Sequence, residues 1–102
     1  MSIFIKNERT GKMIEYPPYQ CKLCGMYEVK HIHDICDVCG WEDDSVQNDK
    51  PDYEGGANYI NYNQYKSVWL NHKEEIMSQS RAGLKGRLVK EIFRRQNNKE
   101  ET

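Results

Sequence analysis

Two copies of one short pattern, Cys21-Lys22-Leu23-Cys24-Gly25 and Cys36-Asp37-Val38-Cys39-Gly40, constrain this chain more than any other feature of it. Two residues between thiols let a tight turn aim both sulfurs at one point. A glycine directly after permits the positive φ and close backbone approach through which amides donate to sulfur. Two such turns facing each other complete a tetrahedron, and the eleven residues from Gly25 to Ile35 suffice for a strand, a turn and a return between them.

The pattern predicts a single metal site with Cys21, Cys24, Cys36 and Cys39 as ligands. Four thiolates fill a tetrahedral ion and leave no position for water, which favours a folding role over a Lewis-acid one. Spacing favours Zn²⁺, with a rubredoxin-like iron site next. Paired disulfides do not suit a reducing compartment, and a dithiol redox motif calls for one Cys-x-x-Cys opening a helix in a βαβ context. His31 and His33 are close in sequence, but four sulfurs already meet the coordination number, so both read as half-exposed residues on a ribbon arm. Four thiolates around a divalent ion carry a double negative charge, to be offset by backbone amides and by Lys22.

Around the cysteines the chain reads as α+β, a small zinc-ribbon-like domain with an N-terminal β-hairpin and one or two C-terminal helices. Its 102 residues hold one core, and with 37% apolar and 30% charged residues that core is thin enough for a metal crosslink to matter. Residues 3–6 and 12–16 form the expected hairpin around Gly11, and Pro17 and Pro18 end it. Met26 to Ile35 supplies two short ribbon arms. Residues 41–58 are acidic and turn-rich and read as an ordered loop. Asn61, with Gln64 three residues on, marks a capping box, and Tyr62, Tyr65, Trp69, His72 and Ile76 then recur at helical spacing. Packing is the expected role of His72 on that face. Gly83 and Gly86 weaken the next stretch, after which Leu84, Leu88 and Ile92, flanked by Val89 and Phe93, mark a second amphipathic segment. The domain is expected over residues 1–95, with the ribbon and acidic loop at 19–60 and a flexible tail at 96–102.

The segment Ile35-Cys36-Asp37-Val38-Cys39-Gly40-Trp41-Glu42-Asp43-Asp44, followed by Val46-Gln47, Pro51-Asp52 and Gly55-Gly56-Ala57-Asn58, resembles the bacterial cysteine-rich CPCC family from about Tyr19 to Trp69. The first knuckle departs from that family's usual Cys-Pro-Cys-Cys, with Lys22 and Leu23 in its middle positions. The resemblance implies a small zinc-binding bacterial protein and no reaction; some proteins of this kind serve as immunity proteins against toxins.

Charge narrows the function classes. The net charge of -1 excludes a globally basic nucleic-acid binder, yet residues 42–54 hold six carboxylates against Lys50, and residues 81–95 hold six cations against Glu91. The expectation is a protein-binding module, with Trp41, Glu42, Asp43 and Asp44 as the contact surface and a toxin as the concrete partner. The alternative is a zinc-ribbon nucleic-acid binder using the basic segment. No enzyme is expected, since no nucleophile with a base is visible and neighbouring carboxylates diverge; the more economical role for Asp43 or Asp44 is to accept backbone hydrogen bonds that hold the loop to Asn58. Neither a secretory leader nor a membrane span is expected, and the compartment expected is the cytoplasm.

Overall fold

A computed structural model describes residues 3–6 and 8–98. Strands β1 (Ile3–Lys6) and β2 (Met13–Tyr16) pair antiparallel, Ile3 opposite Tyr16 and Lys6 opposite Met13. This hairpin stands apart from the core: Phe4, Ile5 and Met13 are exposed. Strands β3 (Tyr19–Gln20) and β4 (Glu28–Val29) then pair antiparallel across the first knuckle, and Ile35 bridges Glu42 across the second. The two expected arms of the spacer are thus present but do not pair with each other. Each pairs with the strand on the far side of its own knuckle, because closing a short loop costs little chain entropy while the sulfurs join the two hairpins.

Helix α1 (Ser45–Asp49) lies inside the segment expected to be a loop. Its five residues are too few for a periodic pattern to show, and Asp44 nucleates it by accepting hydrogen bonds from the Val46 and Gln47 amides. Helix α2 (Tyr62–Asn71) starts at the expected capping box: Asn61 accepts from the Gln64 amide and the Gln64 side chain accepts from the Asn61 amide. The run expected to continue to Ile76 breaks at His72, whose φ of -137° and ψ of 30° leave the helix, and α3 (Lys73–Met77) resumes beyond it. Helix α4 (Ala82–Asn98) passes through both glycines and three residues into the expected tail. Residues 99–102 of that tail lie outside the described residues, as do Met1, Ser2 and Asn7.

Packing against the second knuckle explains why a weak helical stretch is helical. A β-carbon on Gly40, which has φ of 84°, would sit 2.7 Å from the Gly86 nitrogen and 2.9 Å from the Tyr65 hydroxyl, so α4 lies directly against the second knuckle. Burial gained by that approach outweighs the propensity lost to glycine. Leu23, Val29, Trp41, Ile60, Val68, Trp69, Ile76, Val89 and Ile92 surround the cysteines in one core. Trp41 packs edge-on against the rings of Tyr62 and Tyr65 at 5.6 and 5.1 Å. Among the described residues no helix is long and apolar enough to cross a membrane.

Candidate metal centre

Each Cys-x-x-Cys turn is closed by a backbone bond that its glycine makes possible: Gly25 donates to the Cys21 carbonyl and Gly40 to the Cys36 carbonyl, both at 2.9 Å. The Met26 amide approaches the Cys24 sulfur at 3.4 Å, and the Val38 and Cys39 amides approach the Cys36 sulfur at 3.3 Å. All four Sγ atoms lie within 4.8 Å of one another, with Cys21 to Cys39 at 3.8 Å and Cys24 to Cys36 at 3.6 Å. A tetrahedral ion with Zn–S bonds of about 2.3 Å requires sulfur separations of about 3.8 Å, so the donor set fits one. Among the described residues no other group of His, Cys, Asp or Glu is gathered as a metal site.

Crowding also ties the protonation of each sulfur to that of its neighbours. Hydrogen bonds from neighbouring sulfurs, first Cys24 and then Cys36, hold the Cys21 thiol far below its usual range; hydrogen bonding to Cys21 foremost pushes Cys36 and Cys39 above it. Sharing protons is the cluster's only relief in the absence of a cation, and a bound divalent ion removes the conflict by stabilising every thiolate at once.

Helix α2 holds the two turns in place. Tyr62 donates to the Lys22 carbonyl at 2.5 Å, Lys66 donates to the Leu23 carbonyl, and Tyr65 donates to the Cys39 carbonyl at 2.7 Å. Burial, then the charge of the Cys39 sulfur, raises the Tyr65 hydroxyl well above the usual phenol range and keeps it a donor. Sequence reasoning took Tyr62 and Tyr65 for packing residues and passed over Lys66. The available signal was the spacing, which places two phenols and an ammonium on adjoining positions of one helix face. Lys22, expected beside the sulfurs, instead pairs with Glu15 and stacks over the Tyr19 ring at 4.3 Å, so amides rather than its ammonium face the thiolates.

The model of the cysteine-rich CPCC family matches residues 19–77. This chain belongs to that family. Neither the curated proteins nor the solved structures offer a match. The CPCC region thus runs from β3 to the end of α3 and leaves the hairpin and α4 outside it. Leu23 stands at a position where the CPCC pattern carries a cysteine; it is 1% exposed and packed in the core, so the outer pair alone supplies sulfur to the cluster.

Little of the expected contact surface is accessible. Trp41 is 1% exposed, Asp43 and Asp44 are buried, and only Glu42 is partly accessible. Tyr19 donates to Asp43 Oδ2 at 2.5 Å, Asn48 donates to Oδ1 at 2.9 Å, and the Trp41 indole donates to Asn48, tying the two knuckles together. Asp44 accepts from Val46, Gln47 and Ala57 amides. Burial pushes its carboxyl up, and those three amides more than reverse this, leaving it below the usual carboxylate range. These acids turn inward because each meets donors that water would otherwise have to replace.

The loop is held beside Asn58 as expected, by the bond from the Ala57 amide to Asp44, and Asn58 adds bonds of its own. The Asn58 amide group bonds both the N–H and the C=O of Glu42, and its nitrogen donates to Gln47 Oε1. Gln47, fully buried, was missed by sequence reasoning; it donates to the Tyr53 and Ile60 carbonyls and accepts from Asn58. Gly56 passes so close above it that an added β-carbon would lie 2.5 Å from Gln47 Cδ. His31 and His33 are exposed and face Asp34 and Glu42, not the cluster; His72 is half-buried beside Glu75.

Proposed function

We propose that Cys21, Cys24, Cys36 and Cys39 hold one Zn²⁺ as a structural centre, and that the chain works as a binding module for another protein rather than as an enzyme. The observation that supports this best is the donor set itself. Three of its four cysteines are buried in the core, and four thiolates leave a tetrahedral ion no open position for substrate. Bound zinc would then contribute about 10 kcal/mol or more to folding, as much as the whole stability of an ordinary domain. Its role is to hold a surface rigid, which lowers the ordering cost of binding. A cytoplasmic bacterial immunity protein that occludes a toxin is the most concrete form of this reading.

Elemental analysis of the purified chain is expected to find zinc and no iron at one ion per chain, and strong chelation is expected to abolish the folded state. Titration with the products of the genes flanking its own tests the partner. Iron in the cluster, a folded metal-free chain, or turnover that tracks metal occupancy would each overturn the proposal.

A further inference from the structure

Between the second knuckle and α4 lies a cavity of about 220 Å³, lined by Gly40 on one side and by Gly83 and Gly86 on the other. Ile35, 39% exposed, and Tyr59, 60% exposed, stand over it. Its α4 wall carries Arg87 and Lys90, with the Lys90 ammonium over the Tyr59 ring at 4.4 Å. Residues 83, 87, 90 and 94 are spaced four, three and four apart, so Gly83, Arg87, Lys90 and Arg94 form one stripe along the helix. Arg95 is paired with Glu91 at 3.4 Å, whereas among the described residues no carboxylate lies within ion-pair distance of Arg87, Lys90 or Arg94.

Resting on the binding-module reading above, we infer that this groove is the docking site for an acidic segment of a partner protein. An apolar side chain of that segment fills the space above Gly83 and Gly86, and its carboxylates meet Arg87, Lys90 and Arg94. The chemistry favours a peptide over a nucleic acid. Ile35 and Tyr59 offer an apolar mouth, and Glu42 lines the wall opposite the cations. A phosphate chain carries charge along its whole length and would run over Glu42, while a peptide can set its acids on α4 and a neutral or basic residue there. Lys85, which the sequence counts among the cations, is buried with its ammonium on the Gln79 carbonyl and contributes nothing to this face.

The test is peptide selection from a random display library on the zinc-loaded full chain, followed by binding measurements with selected peptides. We expect enrichment of Asp and Glu around one apolar residue. The double variant R87E/K90E, both positions on the α4 wall of the groove, should bind at least about tenfold more weakly. Gly83→Phe should do the same for a different reason: Gly83 lines the groove and a β-carbon there meets nothing within 4 Å, so a ring is expected to fill groove space at little cost to the fold. Zinc content and far-UV spectra should match those of the unaltered chain for both variants. The inference falls if nothing is enriched, if the selected peptides lack acids, or if both variants bind like the unaltered chain. It falls equally if single-stranded oligothymidylate binds more tightly than the peptides and loses affinity in R87E/K90E. A flanking gene product that binds the unaltered chain and Gly83→Phe alike would sink the groove and leave the module standing; absence of zinc would sink the scaffold whatever the peptides do.

Discussion

Asp44 offers the sharpest test of how the acidic segment is built. Its Oδ1 accepts from the Val46 amide at 2.9 Å and the Gln47 amide at 3.2 Å, while Oδ2 accepts from the Ala57 amide at 2.9 Å. Asp44→Ala removes a helix cap, which costs about 1 kcal/mol, and leaves the Ala57 amide without its charged acceptor, which costs a further ~1.5–3 kcal/mol. The expected loss is about 3 kcal/mol, a large share of a stability of roughly 5–15 kcal/mol. With a urea slope of about 1–1.5 kcal/mol per molar, the midpoint falls by roughly 2 M or more. Asp44→Asn separates the two parts, because its carbonyl oxygen can still cap α1 while its NH₂ meets the Ala57 amide donor to donor; about half the loss is expected. Both are measured at one fixed free zinc concentration, since metal binding adds to apparent stability by mass action.

The sign of the pH dependence follows from the depressed carboxyl. A group whose folded pKa lies below its unfolded value of about 3.9 contributes stability that is complete above that value and is lost as pH falls through the folded one. The stability gap between the unaltered chain and Asp44→Asn is therefore flat from about pH 8 to pH 5. A gap that changes across that interval, or an Asp44→Ala loss under about 1 kcal/mol, refutes the account of the loop as a carboxylate-centred structure.

Four further outcomes follow from the packing around the cluster. Cys39→Ser should lose zinc and the cooperative thermal transition together, read by elemental analysis and circular dichroism, whereas His31→Ala and His33→Ala should keep one zinc per chain. Gly40→Ala forces a β-carbon to within 2.7 Å of the Gly86 backbone at a positive φ and should cost about 3 kcal/mol or more in denaturant, while Gly83→Ala, with open space around it, should gain about 0.5–1 kcal/mol. Tyr65→Phe leaves the Cys39 carbonyl without its buried donor and should cost about 1–2 kcal/mol, with faster zinc transfer to a chromogenic chelator. Gln47→Leu keeps the volume but strands the Tyr53 and Ile60 carbonyls and the Asn58 amide, and should destabilise by more than about 2 kcal/mol in the same assay.

What could be read from the sequence, and what could not, divides along the range of the interactions involved. The knuckles are local: sulfur, spacing and a following glycine lie within five residues, and the structure gathers all four thiols where the spacing places them. The α2 cap is local for the same reason, since Asn61 and Gln64 satisfy each other across one turn. The depth at which Trp41, Asp43 and Asp44 are buried was not legible because it depends on Tyr19, Asn48 and Ala57, residues up to 24 positions away in the chain, and an acid that meets three amides is spelled the same as one that meets water.

Gly86 shows the same limit from the other side. Read locally it weakens a helix, yet its backbone is what the second knuckle packs against, 2.7 Å from where a β-carbon on Gly40 would lie. The pairing of Gly40 with Gly86 joins a CPCC knuckle to a helix beyond the matched region. The cation stripe on α4 is thereby fixed relative to the cysteine cluster, and on the proposed reading a groove whose two walls come from distant segments would gain its rigidity from a metal that touches neither Arg87 nor Lys90. Metal loss should consequently abolish peptide binding even though every groove residue is still present, because the wall that carries Gly40 and Glu42 has its place only while four sulfurs share an ion.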